Sequence, residues 1–434
     1  MLKMLQKTET SSPRVLALAT KGTGTNEEDR LRVLLGGIDA EFLPFDKSSK
    51  RQSFFSTLDR VLRDRPELLV MEGTGLAGGL VCLITRLLGR SRYVFSSGDA
   101  VGPFIGAHSA LAGPVFSIYE RLLCRLSAGF IGWTPYLSGR ALTFGAPRAV
   151  TACGFAPVPL DAQAAEAARG EVRRELGIDQ NAIVFGIAGA VMWNPRRGYC
   201  YGQELIEAAK LLNREDVKIL IVGGGSGLDR LKKQAGERGG KSIFFTGMVP
   251  GLEVSRYLAA MDIASLPQSR DGVGNFRYTT KISEYAAARL PIVTGRLPLA
   301  YDLDDGSIWR LPGHAPWSGE FTSALGELMN NISAAELTAA RAKVNADRPE
   351  FDAGRQTARV TAFIEDILAE LRPAGSGGHV VARQGEGDFK GKTTLSSARK
   401  LNQPSPLLTQ RERDSAHAWP ATQTVTAAEG GSLS

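Results

Sequence analysis

At 434 residues, 43% apolar and 22% charged, the chain is long enough for two ordinary domains with real cores. A net charge of +7 favours an anionic partner; the basic residues are scattered among acids without an aromatic-interleaved stripe, so a phosphorylated substrate or acidic membrane surface fits better than nucleic acid. Four histidines without ligand spacing argue against a protein-held metal, MLKMLQK at the start has no apolar signal-peptide core, and no run reaches the roughly 18 uncharged apolar residues of a membrane span.

From residue 13 onward short apolar runs alternate with amphipathic stretches. RVLALA at 14–19 reads as a strand, followed by the loop KGTGT at 21–25 and a helix over 26–35. EFLPF at 41–45 is a second strand, with a helix around 54–63, and strands follow at 68–71, 93–96, 128–133 and 149–152. Between 157 and 180 the stretch DAQAAEAAR is helical with an acid at its start, and the domain join is placed there. A second series begins with strand 182–187, helix 202–212, strand 217–222, helix 228–235 and strand 242–245. It continues with helix 252–261, strand 263–266, helix 280–288 and strand 291–294. Such alternation predicts two consecutive doubly wound α/β domains. The last periodic helix carries Val360, Phe363, Ile364, Ile367, Leu368 and Leu371 on one face. After Arg372 the composition turns to Gly, Ser, Pro, Gln and Thr, so 373–434 is expected as a disordered tail. Cys82, Cys124, Cys153 and Cys200 lie far apart without a C-x-x-C; three of them sit in apolar runs, where a buried free thiol is expected, in a reducing cytoplasm.

A literal G-x-G-x-x-G occurs at Gly73, Gly75 and Gly78, with Asp99 about twenty residues later. In a dinucleotide fingerprint the glycine turn follows the first strand and the acid ends the next. Here two strands precede the motif, and Asp99 lies beyond its strand. The glycines read better as close packing of a helix on the sheet. This loop, the loop of Gly22, Thr23 and Gly24, and SGD at 97–99 share one rim, where open α/β sheets bind ligands. Together they describe the floor of a cleft.

The second half is more specific. The order IVGGGSG (221–227), FTGMVPGLEVSRYLAAMDIASLPQS (245–269) and TTKISEYAAARLPIV (279–293) closely resembles the donor domain of GT-B glycosyltransferases, in particular glycosyltransferase family 4. The resemblance covers 180–300 firmly and 13–156 more weakly. It implies an acceptor-side domain over 13–156, a donor domain over 157–352, a closing helix over 353–372, and a cleft between two Rossmann-like domains. It also implies a nucleotide-sugar donor as substrate, no metal or other cofactor, and transfer with retention at the anomeric carbon. The acceptor is then a sugar, polysaccharide or lipid-linked glycan.

Thr279 and Thr280 can cap the helix beginning near Lys281, leaving N–H groups and a positive dipole end for a diphosphate. The resemblance gives Glu284 of K-x-x-E-Y the ribose hydroxyls; by itself it is also an acid near a helix start, three residues from Lys281. Family members often carry E-x7-E, but the position eight before Glu284 is Phe276. Asp271 stands in through a longer loop on this reading, with Gly274 and Asn275 offering backbone N–H groups to the donor sugar. The family's phosphate-side Arg and Lys fall in MWNPRRG at 192–198, where Arg196 and Arg197 are the candidates and Cys200 or Tyr201 is near the lysine position. A cation there would stabilise charge on the departing diphosphate. Gly189, Gly224, Gly225, Thr246 and Gly247 line the donor side, and Asp99, facing the cleft from the acceptor side, joins Arg196, Arg197 and Glu284 as a catalytic candidate. His108 reads as a loop or cap residue.

Two other functions share these features: a nucleotide-sugar epimerase of the same fold, and a non-catalytic sugar-nucleotide-binding protein. A pyridoxal-dependent phosphorylase would show a lysine for its cofactor, and this sequence has none identifiable. Finally, 109–126 is an apolar stretch broken by Arg121 and Arg125, and Arg86, Arg90 and Arg92 bracket another apolar helix. Such helices can lie at the inner face of a membrane. The preferred reading is that they are core layers whose arginines reach solvent.

Overall fold

The computed structural model describes residues 14–155 and 159–371. The first thirteen residues, Pro157 at the expected domain join and the expected tail at 373–434 lie outside the described residues.

The first half comprises β1 (Val15–Ala19), α1 (Asn26–Leu34), β2 (Ala40–Phe42), α2 (Lys50–Asp64), β3 (Leu68–Glu72), α3 (Leu76–Leu87) and β4 (Arg92–Ser97). The pair α4 (Val101–Gly106) and α5 (Ala112–Leu126) follows, then β5 (Gly129–Gly132), α6 (Pro135–Thr143) and β6 (Ala149–Thr151). Its six strands are parallel in the order β2-β1-β3-β4-β5-β6. After α7 (Ala162–Leu176) comes the second series: β7 (Ile183–Ala188), α8 (Gln203–Ala209), β8 (Val217–Val222), α9 (Leu228–Ala235), β9 (Ile243–Gly247) and α10 (Val254–Ala259). It runs on through β10 (Ile263–Leu266), α11 (Lys281–Ala287), β11 (Ile292–Gly295), α12 (Pro298–Asp302) and β12 (Ile308–Leu311). The chain closes with α13 (Gly319–Asn331), α14 (Ala334–Lys343) and α15 (Ala353–Glu370). The second sheet is also parallel, in the order β12-β11-β10-β7-β8-β9.

Helices on both faces explain why β1, β3 and β7 read as unbroken apolar runs: every residue of these strands is buried. The chain reverses direction across the first sheet between β1 and β3, and across the second between β7 and β10. These two crevices, at the carboxyl ends of the strands, are where such sheets take ligands. The helix α7 starts where the acid predicts, with the Asp161 side chain accepting the Ala164 N–H at 2.7 Å, and stops at Gly177 in a left-handed conformation. Its Arg173 is wholly buried, donating to the carbonyls of Ala182, Gln180 and Ala260 and to Asp262, which anchors α7 to the second sheet.

The last helix returns to the first sheet. Its predicted face, with Val360, Ile364, Ile367 and Leu368, packs against Val15, Ala17, Leu31, Leu34, Val70 and Val94. The Thr357 hydroxyl donates to the Val33 carbonyl at 2.8 Å, and Arg148 pairs with Glu370 at 2.6 Å. All four cysteines are buried and free.

The core reading of the arginine-flanked helices holds for their inner faces, and the arginines around them reach solvent. The inner faces of α3 and α5, with Val81, Cys82, Leu83, Tyr119, Leu123 and Cys124, do cover the sheet. Their outer faces leave Leu80, Leu87, Val115 and Ile118 exposed. The sheet needs only one side of each helix, and both sides are apolar.

Ile364→Ala is expected to destabilise the protein by about 2–5 kcal/mol, because a fully buried side chain leaves a cavity. Urea unfolding against exposed Glu365→Ala, expected within about 0.5 kcal/mol of the parent, checks whether α15 is part of the acceptor-side core.

Candidate active site

The carboxyl edges of the two sheets meet through the 271–278 segment that follows β10. Thr134 donates to the Phe276 carbonyl at 2.9 Å, and the Tyr278 hydroxyl donates to the Gly154 carbonyl at 3.2 Å. Between them Arg277 Nε donates to Asp99 Oδ1 at 2.6 Å. Asp99 therefore faces the cleft as expected, held by a cation that the motif-based reading passed over.

Behind this pair lies a compact set of donor-side groups. Lys281 Nζ sits 4.9 Å from the Tyr201 ring centroid. Gln268 donates to the Tyr201 hydroxyl at 3.0 Å. Burial opposes ionisation of this phenol, yet Arg277, Lys281 and the Gln268 hydrogen bond outweigh it and bring its pKa below the ordinary value. Gly189 has φ +138°, and a Cβ there would lie 2.6 Å from Lys281 Nζ. Only glycine lets the ammonium settle over the end of β7, the crevice side of the second sheet. Arg277 and Lys281 thus bring positive charge to the Tyr201 ring.

Glu284 lies one turn into α11, partly buried. Burial raises its pKa, opposed by Lys281 and by the Thr280 hydroxyl, which bonds to its carboxylate. That bond corrects one expectation: Thr280 occupies the N-cap position but makes no side-chain cap. Thr279 accepts the Ile282 N–H through its carbonyl.

Asp271 differs more from expectation. Its Oδ1 accepts the N–H groups of Val273 (2.8 Å) and Gly274 (2.9 Å), while Oδ2 accepts from Ser269 (2.8 Å) and Arg197 (3.2 Å). Burial works against the charge, but these donors hold the carboxyl below its usual range. The Asn275 N–H goes to the Asp271 carbonyl at 3.1 Å. The backbone N–H groups of Gly274 and Asn275 are therefore committed within their own loop and are not free for a sugar. Arg197, 5.1 Å from the Trp317 ring, is joined to Asp271, whereas Arg196 is exposed. Of the two, Arg197 is built into the site.

The loops after β8 and β9 close the donor side. Gly225 lies against the Val191 carbonyl and Gly224 against Met248, and the Thr246 hydroxyl is held between the Gly247 carbonyl and the Gly223 N–H. These glycines serve loop packing first. Glu204, wholly buried, accepts from Tyr199, Ser265 and the Gly202 N–H, and so ties α8 to β10 beneath the site.

On the acceptor side, Glu72 at the end of β3 accepts from Arg30 (2.6 Å) and Trp133 Nε1 (3.0 Å), and Arg30 stacks on the Trp133 ring. Lys21 pairs with Glu27, whose carboxyl is pushed up by burial, with Glu72 and Asp99 adding to the effect and Lys21 opposing it. The Gly75 N–H donates to Thr20, and the Gly73 N–H to the Ser96 carbonyl. The Thr23 hydroxyl and the Phe45 backbone hold the loop of Gly22 and Gly24 at the same edge. The three expected rim loops are thus together. Glycine-rich α3 packs closely on its neighbours, as a Cβ at Gly79 would fall on the Tyr119 hydroxyl. His108 is exposed, its Nδ1 2.9 Å from the Phe104 carbonyl. Arg277, Glu27, Arg30, Glu72 and Trp133 were not legible as site residues; only Arg277, four before Lys281, left a spacing clue.

Two Rossmann-like sheets whose crevices face each other, with cations and an acid at the donor crevice, define a GT-B architecture. Residues 183–331 match the family model described as glycosyl transferases group 1. A search of curated proteins by sequence finds no match. Among solved structures, Anabaena HepE in complex with UDP and glucose aligns with TM-score 0.60 and 14% identity, covering 81% of this chain and 99% of its own. WaaG, a glycosyltransferase involved in lipopolysaccharide biosynthesis, aligns with TM-score 0.54 and 13% identity over 80% and 98% of the two chains. A putative UDP-N-acetylglucosamine 2-epimerase from Listeria monocytogenes aligns with TM-score 0.50 and 10% identity over 82% and 97%. The fold and the family match support a GT-B glycosyltransferase.

Asp99→Asn should tighten pyrophosphate binding, because it releases Arg277 from its counter-ion, and Arg277→Ala should weaken it by about 10-fold or more. Calorimetric titration with pyrophosphate measures both; an affinity indifferent to both changes would place the anion site elsewhere.

Proposed function

We propose that the protein transfers a sugar from a nucleotide-sugar donor held by the second sheet to an acceptor held by the first, with retention of anomeric configuration. The observation that carries the reading is the cluster of Lys281, Arg277 and Glu284 around the β7 crevice, within the segment that matches group 1 glycosyltransferases. Lys281 and Arg277 take the diphosphate, Arg277 exchanging Asp99 for phosphate oxygens, and Glu284 takes the ribose hydroxyls. UDP in HepE and a UDP-sugar in the epimerase name make uridine the first base to try. The acceptor is a sugar, polysaccharide or lipid-linked glycan, in glycan or glycolipid assembly. No metal or other cofactor takes part in this reading.

The step breaks the bond between the anomeric carbon and the phosphate oxygen and forms one to an acceptor hydroxyl. Negative charge grows on the leaving diphosphate, so cations fixed beside it lower the barrier. Asp271, engaged by four donors, is a loop organiser and offers no free carboxylate beside the donor. This supports a front-face transfer in which the acceptor proton passes to the departing phosphate oxygen. The family match favours transfer over epimerisation, and a panel of nucleotide sugars tests it. Diphosphate release that requires an added acceptor supports transfer; a 2-epimer formed without one overturns it.

Glu284→Ala should weaken donor binding about 10- to 150-fold, the range of a charge-assisted hydrogen bond. The pH dependence has a definite sign. Because burial raises the Glu284 pKa, the carboxylate protonates on acidification earlier than an ordinary glutamate. Donor affinity should therefore be full above that pKa and fall below it, and the fall should vanish in Glu284→Gln. Titrations of the two proteins across mildly acidic pH measure it.

A further inference from the structure

The outer faces of α3 and α5 form an apolar surface collared by arginines. Along α5, Leu111, Val115, Ile118 and Leu122 recur at helical spacing and are 91%, 63%, 60% and 45% exposed. On α3, Leu76, Leu80 and Leu87 form a second exposed row, with Leu88 beyond. The two helices meet where Gly79 faces Tyr119, so the rows flank one seam. Scattered exposed leucines are ordinary; two adjoining rows are the kind of patch that marks an interaction site.

The surrounding charge is of one sign. Residues 73–148 hold seven arginines, no lysine and two acids. Both acids are occupied: Asp99 by Arg277, and Glu120, buried, by Arg140. Arg90, Arg92, Arg121 and Arg125 are exposed, and none of them forms an ion pair among the described residues. Arg86 donates to the Leu126 carbonyl and closes the far end of the seam. Beside them Ile118, Arg121, Leu122, Arg125, Thr143 and Phe144 line a groove of about 510 Å³.

We propose that this face docks on an anionic lipid bilayer, the apolar rows entering the headgroup boundary and the arginines meeting lipid phosphates. A second copy fits poorly, since a two-fold contact would set one arginine collar against the other. The chain's own residues 372–434 fit no better, with eight basic residues against five acidic. No helix among the described residues is long and apolar enough to cross a membrane, so the contact is interfacial. Leu76 directly follows Gly75 of the cleft loop, so docking brings the acceptor edge to the bilayer surface. The docking does not depend on the sugar-transfer reading.

The test is co-sedimentation of the full chain with phosphatidylcholine vesicles, with and without phosphatidylglycerol. Binding is expected to the anionic vesicles, weakening as salt rises. Arg121→Ala with Arg125→Ala should lower partitioning about 30-fold. Val115→Ser with Ile118→Ser should lower it about 10-fold or more, with melting and circular dichroism unchanged because both side chains are exposed. Absence of binding to anionic vesicles at low salt overturns the proposal, as does binding that survives both variants. A dimer in sedimentation equilibrium that the Val115→Ser, Ile118→Ser pair dissolves would also overturn it, assigning the face to a second copy.

Discussion

The guanidinium of Arg277 and the carboxylate of Asp99 lie 2.6 Å apart across the cleft, each joined to a different sheet. Both are only partly exposed, so water screens their attraction less than it would a surface pair. Aligned hydrogen bonds from Thr134 and Tyr278 reinforce the pair and hold the two crevices in register. The same guanidinium is one of the cations beside Tyr201 and Lys281. On the proposed function, donor binding and domain contact compete for one charge. A diphosphate that draws Arg277 toward the β7 crevice must loosen it from Asp99, which frees an acceptor-side carboxylate only once the donor is in place.

Much of the fold was legible because parallel strands covered on both faces have a strong apolar signal. The runs at 217–222 and 263–266 agree with β8 and β10 residue for residue. Where exposure breaks that signal the reading loses resolution. IWRL of β12 is half exposed along three of its four positions and was passed over, and β2 ends at Phe42, three residues short of the apolar run that suggests it. The face of α15 was visible in its periodicity, but its destination was not, since nothing local distinguishes packing on the first sheet from packing on the second. For α5 the difficulty was the reverse: a helix apolar on both sides does not declare which side the protein uses.

The candidate site divides along the same line. The resemblance of K-x-x-E-Y to the family pattern pointed to Lys281 and Glu284, and the local sequence put them in the first turn of a helix. Hydrogen-bond partners were beyond reach. The Thr280 hydroxyl had a choice between its own helix end and Glu284, and Asp271 between a sugar and its own loop. In both cases the nearest local partner won, as side chains of this kind commonly do in turns. Arg277 offered no more than its spacing from Lys281, because its partner lies 178 positions away.

One departure from the family pattern accounts for several of these features together. Thirteen positions separate Asp271 from Glu284, where E-x7-E would place eight. A loop of the shorter spacing would keep its carboxylate close to α11. The longer one reaches the acceptor side, where Phe276 lies beside Arg140, Arg277 finds Asp99, and Tyr278 stacks edge-on to Trp133. Such an extension costs backbone entropy unless its turn is fixed. The Asp271 carboxylate fixes it by accepting the Val273 and Gly274 N–H groups, with Arg197 balancing its charge. The carboxylate that a shorter loop would turn toward a donor is thereby engaged in shaping the loop, and the loop in return carries a cation to the cleft. Set against the glycosyltransferase family 4 pattern that the sequence resembles, the missing first acid, the missing lysine near Cys200 or Tyr201 and the presence of Arg277 read as one structural exchange and not three separate anomalies.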